Sequence, residues 1–526
     1  MLSFLRRHAL FAAVLSLLTA AVFLPSLSGG YLAFDDEPYV ARNAALNPSF
    51  SNAAGAFVSF TGGLYQPLPS LSFMAERAAF GLSPRSSRSV NLLIHICVAL
   101  LVMALADGLG APPLAACAAA FLFALHPMHA ESVAWISERK DLLCAVFYFA
   151  ALFAYIRSRG EKGVTARVWL LASGALLSKV SAVSLPVALL ALDISVFRKD
   201  VRRAVIEKLP LLGVCAGFAA LNIYAHGSFD SFGVHSQKWW EGLFVGARNL
   251  LFYPARLLWP AGLSPFYPYP AKEAGLLPVL YYIAPLLAGG LAWAVWRLRA
   301  VLGGTVLCGI LLYCAMVLPM LQIIPAGSAV AADHFSYLPS FGIFLAAAVL
   351  LARLAEHVKG LEFRALYPAL LSAFLLAGAG LGLMCWERAR VWRSDILLWS
   401  DVLSRYPRSV FALHNRAAAF VADGRYDLAM KDYVSLLEEE PLTASHHNDF
   451  GVAASLAGYG ELALAAYSHA IELKPDYAMA YNNRGFVLGL KGETAKAKSD
   501  FEKALSLDPG LIQAGKNLDR MKAVAP

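Results

Sequence analysis

Long apolar runs recur along the first three quarters of the chain and alternate with short polar connections. A helix needs about 20 apolar residues to cross the hydrocarbon core of a bilayer, with a range of roughly 17 to 25. Searching the sequence for runs of this kind predicts eleven membrane-spanning helices. Their approximate bounds are 9–27, 89–107, 111–126, 141–157, 167–179, 180–197, 209–225, 277–296, 300–320, 338–354 and 366–386.

Basic residues predict how these helices are oriented in the membrane. Lys and Arg accumulate in the loops on the cytoplasmic side, so we expect a cytoplasmic N-terminus and a C-terminal region outside the cytoplasm. The clusters that set this orientation are Arg6 with Arg7, the loop 157–167, the run 198–203, Arg297 with Arg299, and Arg353 with Lys359. The outer loops are then 28–88, 126–140, 226–276 and 321–337.

Two apolar segments have alternative interpretations. If residues 240–260 crossed the membrane, a basic cluster would move to the outer face, so we predict an amphipathic helix in the outer interface. Arg248 and Arg256 would lie at the headgroup level of this helix. The run at 9–27 could instead be a cleaved signal peptide. We expect an uncleaved anchor because the run is long and lacks a clear A-x-A site.

The last quarter of the chain contains an internal repeat. Four kinds of residue recur there at intervals of 34, namely Pro407, Pro441, Pro475 and Pro509; Gly424, Gly458 and Gly492; Ala429, Ala463 and Ala497; and Tyr433, Tyr467 and Phe501. This period and these residue types predict tetratricopeptide repeats, which stack helix pairs into a solenoid with a concave binding face. We expect three repeats, a half repeat around Trp399 and a capping helix from Leu511.

Composition supports a polytopic membrane protein. Hydrophobic residues make up 59% of the 526 residues and charged residues only 15%, which is too apolar for a water-soluble core and surface. The net charge of +8 does not indicate nucleic-acid binding, because the basic residues lie in short clusters between apolar runs. All seven cysteines lie within or beside apolar runs, which argues against a disulfide framework or a zinc site.

Two of the predicted outer loops concentrate ionisable residues. Asp35 and Asp36 are adjacent, and neighbouring carboxylates resist ionising together unless a cation, a phosphate site or a proton-acceptor role compensates. A solvated acidic turn is the alternative. The loop HPMHAESVAWISERKD at 126–141 has the order H-P-x-H-x-E instead of H-E-x-x-H, so hydrogen-bonding or phosphate-facing roles are favoured over metal ligation for His126 and His129.

Further charged residues complete the set of candidates. Arg139 and Lys140 could be interfacial anchors, but beside two histidines and opposite an acidic pair they favour phosphate binding. Lys179 either snorkels to the outer surface or faces a polar cavity. The remaining candidate site residues in these loops are Glu131, Asp141, Asp333 and His334. Carboxylates and cations from separate outer loops indicate a reaction chamber at one membrane face.

These motifs carry a family resemblance that covers nearly the whole chain. FDD, the 126–141 loop, KVSAVSLPVALLALD, FYPYP and ADHFSYLPSFG, followed by the repeats, resemble bacterial relatives of the transmembrane and tetratricopeptide repeat containing O-mannosyltransferases. The resemblance implies an all-α protein with a GT-C type catalytic helix bundle over 1–386, a linker helix or half repeat over 387–407, and a repeat domain over 408–526. Similar sequences usually have ADRY where this chain has ADHF, so His334 and Phe335 replace an arginine and a tyrosine.

The resemblance also implies an activity and roles for residues. It implies inverting transfer of a sugar from a polyprenyl phosphate to a protein Ser or Thr hydroxyl at the outer face, in this case of a bacterial inner membrane with periplasmic repeats. Asp35 or Asp36, with a slight preference for Asp36, would accept the hydroxyl proton. The expected donor phosphate ligands are Arg139, Lys140, His126, His129 and Lys179. Arg248 and Arg256 would guide the lipid. Whether a divalent cation, Mg²⁺ or Mn²⁺, takes part in the reaction stays open.

Other functions remain possible from the sequence. A transporter would show pseudo-symmetric halves, and the predicted membrane part shows no such internal repeat. A non-catalytic scaffold for assembling an envelope complex would need only one anchor, although a degenerate enzyme could still act as one. The acceptor could also be a glycan or a lipid, and the repeats could bind either a protein acceptor or a partner subunit.

Overall fold

The described residues fold mainly into helices, and the chain divides into two compact units, Met1–Ser394 and Asp395–Pro526. The computed structural model describes residues 8–159, 163–227, 238–325, 327–359, 366–439 and 442–524. The all-α fold predicted from the sequence is confirmed. Arg6 and Arg7 of the first basic cluster and the repeat proline Pro441 lie outside the described residues.

The first unit consists of helices α1 to α14. Their bounds are α1 Ala9–Phe23, α2 Phe50–Gly55, α3 Pro67–Phe80, α4 Pro84–Gly108, α5 Pro113–Leu125, α6 Ala130–Ala134, α7 Arg139–Arg157, α8 Ala166–Leu176, α9 Leu185–Ser195, α10 Val201–Gly227, α11 Glu241–Leu258, α12 Val279–Val317, α13 Ser340–Lys359 and α14 Leu366–Val391. Short 3₁₀ turns join several of them, at Leu24–Ser28, Pro127–His129, Ile136–Glu138, Val180–Ser184 and Asp333–Ser336.

Fewer helices than predicted satisfy the length and composition of a membrane span. Among the described residues, six helices are long and apolar enough, or seven if the bent pair α5 and α6 is one span. The count of eleven is therefore not confirmed. Helices α8 and α9 have 11 residues each, or about 17 Å at 1.5 Å per residue, against a hydrocarbon core of about 30 Å.

Breaks in two helices explain part of this difference. Pro127 ends α5, because the residue before a proline is disfavoured in helical geometry, and His126 is extended with φ −72° and ψ 130°. The chain bends by 50° there. Helix α12 covers both predicted spans 277–296 and 300–320, and it is broken at Gly303, whose φ of 74° suits glycine.

Small residues allow close helix packing next to these breaks. Gly309 of α12 and Gly342 of α13 face each other, and a Cβ added to either glycine would collide with the carbonyl oxygen of the other. Small residues at helix crossings let backbones approach closely inside membranes. This crossing lies near the N-terminal end of α13, which follows the 3₁₀ turn at Asp333–Ser336.

A two-stranded antiparallel sheet connects two of the sequence motifs. Strand β1, Tyr267–Pro268, belongs to FYPYP, and β2, Ala329–Ala331, directly precedes ADHF. Tyr267 pairs with Ala331. The sheet thus brings two loops that are distant in sequence to one place.

The second unit consists of consecutive helix pairs. Its helices are α15 Asp395–Leu403, α16 Val410–Ala422, α17 Tyr426–Leu437, α18 Ala444–Leu456, α19 Gly460–Leu473, α20 Ala478–Leu490, α21 Thr494–Leu507 and α22 Ile512–Val524. Gly424, Gly458 and Gly492 turn the chain between paired helices with φ of 73°, 88° and 80°. The periodic alanines and aromatic residues of the motif are buried. The 34-residue period predicted this packing.

Candidate active site

Helix α4 positions the loop that carries most candidate residues. The Arg88 side chain, fully buried, donates to the carbonyls of Ala134, Gly30 and Trp392. Asn91, one turn further along α4, donates to the carbonyls of Trp135 and Ile136. A buried arginine with several carbonyl acceptors is costly to remove. These two residues therefore hold the turn between α6 and α7 and the segment after α1 in register.

A group of six residues, here called the charged cluster, lies beside this turn. Glu138 is its centre: Oε1 lies 2.7 Å from Lys140 Nζ, and Oε2 lies 3.3 Å from Lys179 Nζ. Lys179 Nζ also pairs with the carboxylate of Asp141. Burial opposes the charge on Glu138, but His334, Lys140 and Lys179 hold the pKa of its carboxyl well below the usual value. The cluster comprises Glu131, Glu138, Lys140, Asp141, Lys179 and His334.

His334 bridges two glutamates of the cluster. Its backbone N–H donates to Glu131 Oε2 at 2.9 Å, and its Nδ1 lies 2.9 Å from Glu131 Oε1 in an ion pair that is poorly aligned for a hydrogen bond. Nε2 lies 4.0 Å from Glu138 Oε1. Burial alone would lower the pKa of His334, but Glu138 and Glu131 raise it above its usual 6.5. The imidazole is thus favoured as a cation.

Asp333 lies behind His334 and is held by the sheet. The Tyr267 hydroxyl donates to Asp333 Oδ1 at 2.7 Å, and the carboxylate is buried. Burial, together with the charge of Glu131, raises the pKa of Asp333 to about 7. The contact joins FYPYP to ADHF, so Asp333 positions the loop that carries His334.

The two adjacent aspartates have different surroundings. Asp36 is fully buried; Oδ1 accepts from the Ser137 backbone at 2.9 Å and from the Ser137 hydroxyl at 2.7 Å, and Oδ2 accepts from Leu32 N at 3.3 Å. Burial raises the pKa of Asp36, although these hydrogen bonds favour its charged form. Asp36 therefore fastens the segment after α1 to the turn before α7.

Asp35 is only partly buried, and its carboxylate accepts no hydrogen bond from any described residue. Its strongest electrostatic neighbour is Lys140, followed by Glu138, Asp36 and His334. Burial raises the pKa of Asp35 to about 7, and Lys140 opposes this shift. Of the two aspartates, Asp35 is the one with a free carboxylate next to the charged cluster.

Three predicted phosphate ligands, Arg139, His126 and His129, lie outside the charged cluster. The Arg139 side chain points away: it pairs with Glu76 Oε2 at 2.7 Å and donates to Asn91 and to Ser87 O. His126 and His129 are fully buried, and both ring nitrogens of each are engaged. Their partners are Leu257 O and Met128 N for His126, and Phe123 O and Ser340 Oγ for His129.

The two arginines predicted to guide the lipid, Arg248 and Arg256, lie on α11, and neither belongs to the charged cluster. The guanidinium of Arg248 lies 4.1 Å from the centre of the Phe252 ring, and that of Arg256 lies 5.3 Å from it. Trp239 and Trp259 flank this helix and are 83% and 75% exposed. Exposed tryptophans beside arginines are typical of a membrane interface.

The structure adds two residues that the sequence analysis did not select as site candidates. Glu138 was part of the quoted 126–141 loop, and its spacing of three from Asp141 places both on one side of a helical turn. That spacing could have identified it. Tyr267 lies in FYPYP, but no local pattern links it to Asp333, which is 66 residues away.

A divalent cation fits the cluster only in part. One ligand atom each from Glu138, Asp141 and His334 lies within 4.8 Å of the others, and these are donors that such cations accept. However, Lys179 already pairs with the carboxylates of both Glu138 and Asp141, and Lys140 pairs with that of Glu138. The described side chains therefore do not fit a divalent cation while the lysines keep these positions.

Comparisons with known proteins support both halves of the sequence interpretation. The family model described as TPR repeat matches residues 460–492, and the one described as Tetratricopeptide repeat matches residues 478–511. Protein O-mannosyl-transferase TMTC2 from Mus musculus and from Homo sapiens are each 32% identical over 165 residues, which cover 30% of this chain and 20% of the relative. Tmtc2 of Drosophila melanogaster is 32% identical over 230 residues, 40% of this chain and 24% of the relative.

The fold and these matches define the class: an all-α integral membrane protein with C-terminal tetratricopeptide repeats. The predicted resemblance to O-mannosyltransferases of this kind is confirmed, and the chain spans about a fifth of the length of the first two curated relatives that it matches.

Among solved structures, the crystal structure of MamA is 26% identical, with a TM-score of 0.23 over 24% of this chain and 75% of that chain. The second TPR domain of human RPAP3 with an HSP70 peptide is 27% identical, with a TM-score of 0.21 over 22% of this chain and 94% of that chain.

Proposed function

We propose that the protein is a membrane glycosyltransferase of GT-C type that moves a sugar from a polyprenyl phosphate to a Ser or Thr hydroxyl of a protein at the outer membrane face. The observation that carries the proposal is the free carboxylate of Asp35 beside a buried cluster with two ammonium groups. A base and a phosphate-binding centre are the two parts that this reaction requires. The named O-mannosyltransferase relatives support the same reaction class.

In the proposed reaction, Asp35 is the general base. The acceptor oxygen attacks the anomeric carbon while the bond from that carbon to the phosphate oxygen breaks. Asp35 takes the hydroxyl proton, and the electron pair leaves with the polyprenyl phosphate. A single displacement of this kind inverts the anomeric configuration. A pKa of about 7 for Asp35 suits a general base at neutral pH.

The cations of the cluster stabilise the departing phosphate in this proposal. Negative charge develops on the leaving oxygen, and fixed positive groups in a buried site lower the barrier without reorganising. Lys140 and Lys179 are held by Glu138 and Asp141, and His334 is held by Glu131. Glu131, Asp141 and Asp333 thus position cations. Asp36 keeps Asp35 in place through its bonds to Ser137.

The remaining parts of the proposal concern the lipid and the acceptor. Arg248 and Arg256, with the exposed tryptophans around α11, would hold the donor lipid at the interface. The basic clusters support a cytoplasmic N-terminus, and the repeats then lie outside the cytoplasm, which in a bacterial inner membrane is the periplasm. A solenoid with a concave face suits an extended protein segment, so we propose a protein acceptor.

The test compares extracytoplasmic proteins by intact mass in cells that produce the wild type or Asp35→Asn, at equal membrane abundance. We expect sugar-sized mass increments with the wild type and none with Asp35→Asn. Glu37→Gln is the matched control, because Glu37 is also a carboxylate in this segment, but its side chain is 36% exposed and pairs with Arg42 at 2.7 Å. It should keep the increments. Increments that persist with Asp35→Asn would refute the role of Asp35. Identical profiles without increments in all strains would favour a glycan or lipid acceptor or a scaffold.

A further inference from the structure

The charged cluster contains a set of donors that is suited to a metal ion but is already paired with lysines. Glu138, Asp141 and His334 each contribute one ligand atom within 4.8 Å of the others. Lys179 Nζ lies 3.3 Å from Glu138 Oε2 and also pairs with Asp141 Oδ1, so the ammonium lies between the two carboxylates. Lys140 Nζ lies 2.7 Å from the other oxygen of Glu138.

An ammonium and a divalent cation compete for such a position. Mg²⁺ and similar ions need oxygen ligands at about 2.1 Å, closer than an ammonium approaches. A metal ion bridging Glu138 and Asp141 would therefore lie almost on top of Lys179 Nζ. The two positive charges would repel each other in a site where the Lys179 side chain is only 11% exposed, so little water screens them.

The lysines also have hydrogen-bond donors left for a phosphate. An ammonium carries three N–H donors. In the described residues Lys140 uses one of them, for Glu138, and Lys179 uses two, for Glu138 and Asp141. The remaining donors can bind phosphate oxygens directly, which is the task that a divalent cation performs in other phosphate sites.

We propose that Lys179, together with Lys140, occupies the place of a divalent cation in this site, so that the donor phosphate is bound by ammonium groups and the protein binds no Mg²⁺ or Mn²⁺ there. The phosphate part rests on the proposed function. The metal part concerns only Glu138, Asp141, His334 and the two lysines. Removal of Lys179 should accordingly open a metal site that the wild type lacks.

A second ion-pair network in the same unit provides a matched control. Lys199 Nζ lies 3.0 Å from Glu207 Oε2 and 3.5 Å from Asp193 Oδ1, so it too bridges two carboxylates. No group of three or more metal-ligand residues forms there among the described residues. Lys199→Ala removes a bridging lysine without leaving a histidine-containing donor set.

The experiment titrates Mn²⁺ into untagged full-length protein in detergent and measures free Mn²⁺ by electron paramagnetic resonance. We expect no specific uptake by the wild type or Lys199→Ala, and one Mn²⁺ per chain for Lys179→Ala. The uptake should disappear again in Lys179→Ala/His334→Gln. Specific binding by the wild type that Glu138→Gln abolishes would overturn the proposal, and this arm does not depend on whether the Lys179 variants fold. Absence of uptake by a folded Lys179→Ala would overturn it as well.

A second readout separates this inference from the proposed function. Sugar transfer by the wild type should be unchanged after treatment with EDTA. Loss of transfer that Mn²⁺ or Mg²⁺ restores would overturn the inference. Absence of transfer under all conditions, with the Mn²⁺ pattern as expected, would refute the proposed function and leave the metal part of the inference standing.

Discussion

At the scale of single residues, neighbours in sequence have different surroundings and therefore different roles. The Asp36 carboxylate accepts hydrogen bonds from Ser137 and Leu32, whereas Asp35 keeps a free carboxylate. Arg139 pairs with Glu76, whereas Lys140 joins the charged cluster. Successive helical residues point about 100° apart. Sequence adjacency therefore could not decide which member of each pair reaches the site.

The pH dependence of transfer follows from two of these residues. Asp35, with a pKa of about 7, must be deprotonated to act as a base, so kcat/KM should rise with pH through about 7. His334, whose pKa is raised above 6.5, loses its charge at higher pH, so kcat/KM should fall again on the alkaline side. The measurement is a pH profile of kcat/KM with a labelled donor.

His334→Arg tests the assignment of the alkaline limb. Arginine stays charged throughout this range, so the variant should keep the rise near pH 7 and lose the alkaline fall. An alkaline limb that is unchanged in His334→Arg would show that another group causes it. A missing acid limb in the wild type would contradict the role given to Asp35.

At the scale of elements, α4 and the N-terminal turn of α7 support the site. Arg139 ties α7 to α3 through Glu76 and to α4 through Asn91 and Ser87. Its guanidinium also lies 3.9 Å from the centre of the Phe73 ring on α3. The ion pair is buried on both sides, with side-chain exposures of 0% and 2%. Breaking a buried pair leaves an uncompensated charge, which costs far more than losing an exposed one.

Arg139→Met and Lys140→Met should therefore have different effects. Arg139→Met leaves Glu76 unpaired and should destabilise the protein by roughly 3 to 5 kcal/mol, seen as a lower melting temperature in detergent. The double variant Arg139→Met/Glu76→Met should recover part of this loss. Lys140→Met should lose transfer and lower the melting temperature by less than Arg139→Met, because Glu138 keeps Lys179 as a partner at 3.3 Å. A Lys140→Met protein with full transfer would contradict the phosphate-binding role.

Helices and repeats were more predictable than the site because periodicity is local. The 34-residue period placed Gly424, Gly458 and Gly492 at turns, and the structure has them there with positive φ. The site depends on contacts across long separations, such as Lys179 with Glu138 at 41 residues and His334 with Glu131 at 203. No local pattern encodes these pairs.

At the scale of the whole molecule, the proposed function requires that the repeats and the charged cluster lie on the same side of the membrane as the acceptor. The distribution of basic residues predicts this arrangement, with the run 198–203 in the cytoplasm and residues 395–526 outside. Both regions offer exposed positions, Arg202 and Ser506.

Cysteine labelling in intact spheroplasts checks this topology. Ser506→Cys should react with a membrane-impermeant maleimide, and Arg202→Cys should react only after permeabilisation. The wild type, whose seven cysteines lie within or beside apolar runs, gives the background. Labelling of Arg202→Cys in intact spheroplasts, or protection of Ser506→Cys, would reverse the predicted orientation.

The most direct test of the central claim uses the purified full-length protein, a polyprenyl phosphate carrying a labelled sugar, and an acceptor protein with free Ser and Thr hydroxyls. The measurement is the amount of label transferred to the acceptor. We predict transfer by the wild type and by Glu37→Gln, and none by Asp35→Asn. Equal transfer by the wild type and Asp35→Asn would contradict the account.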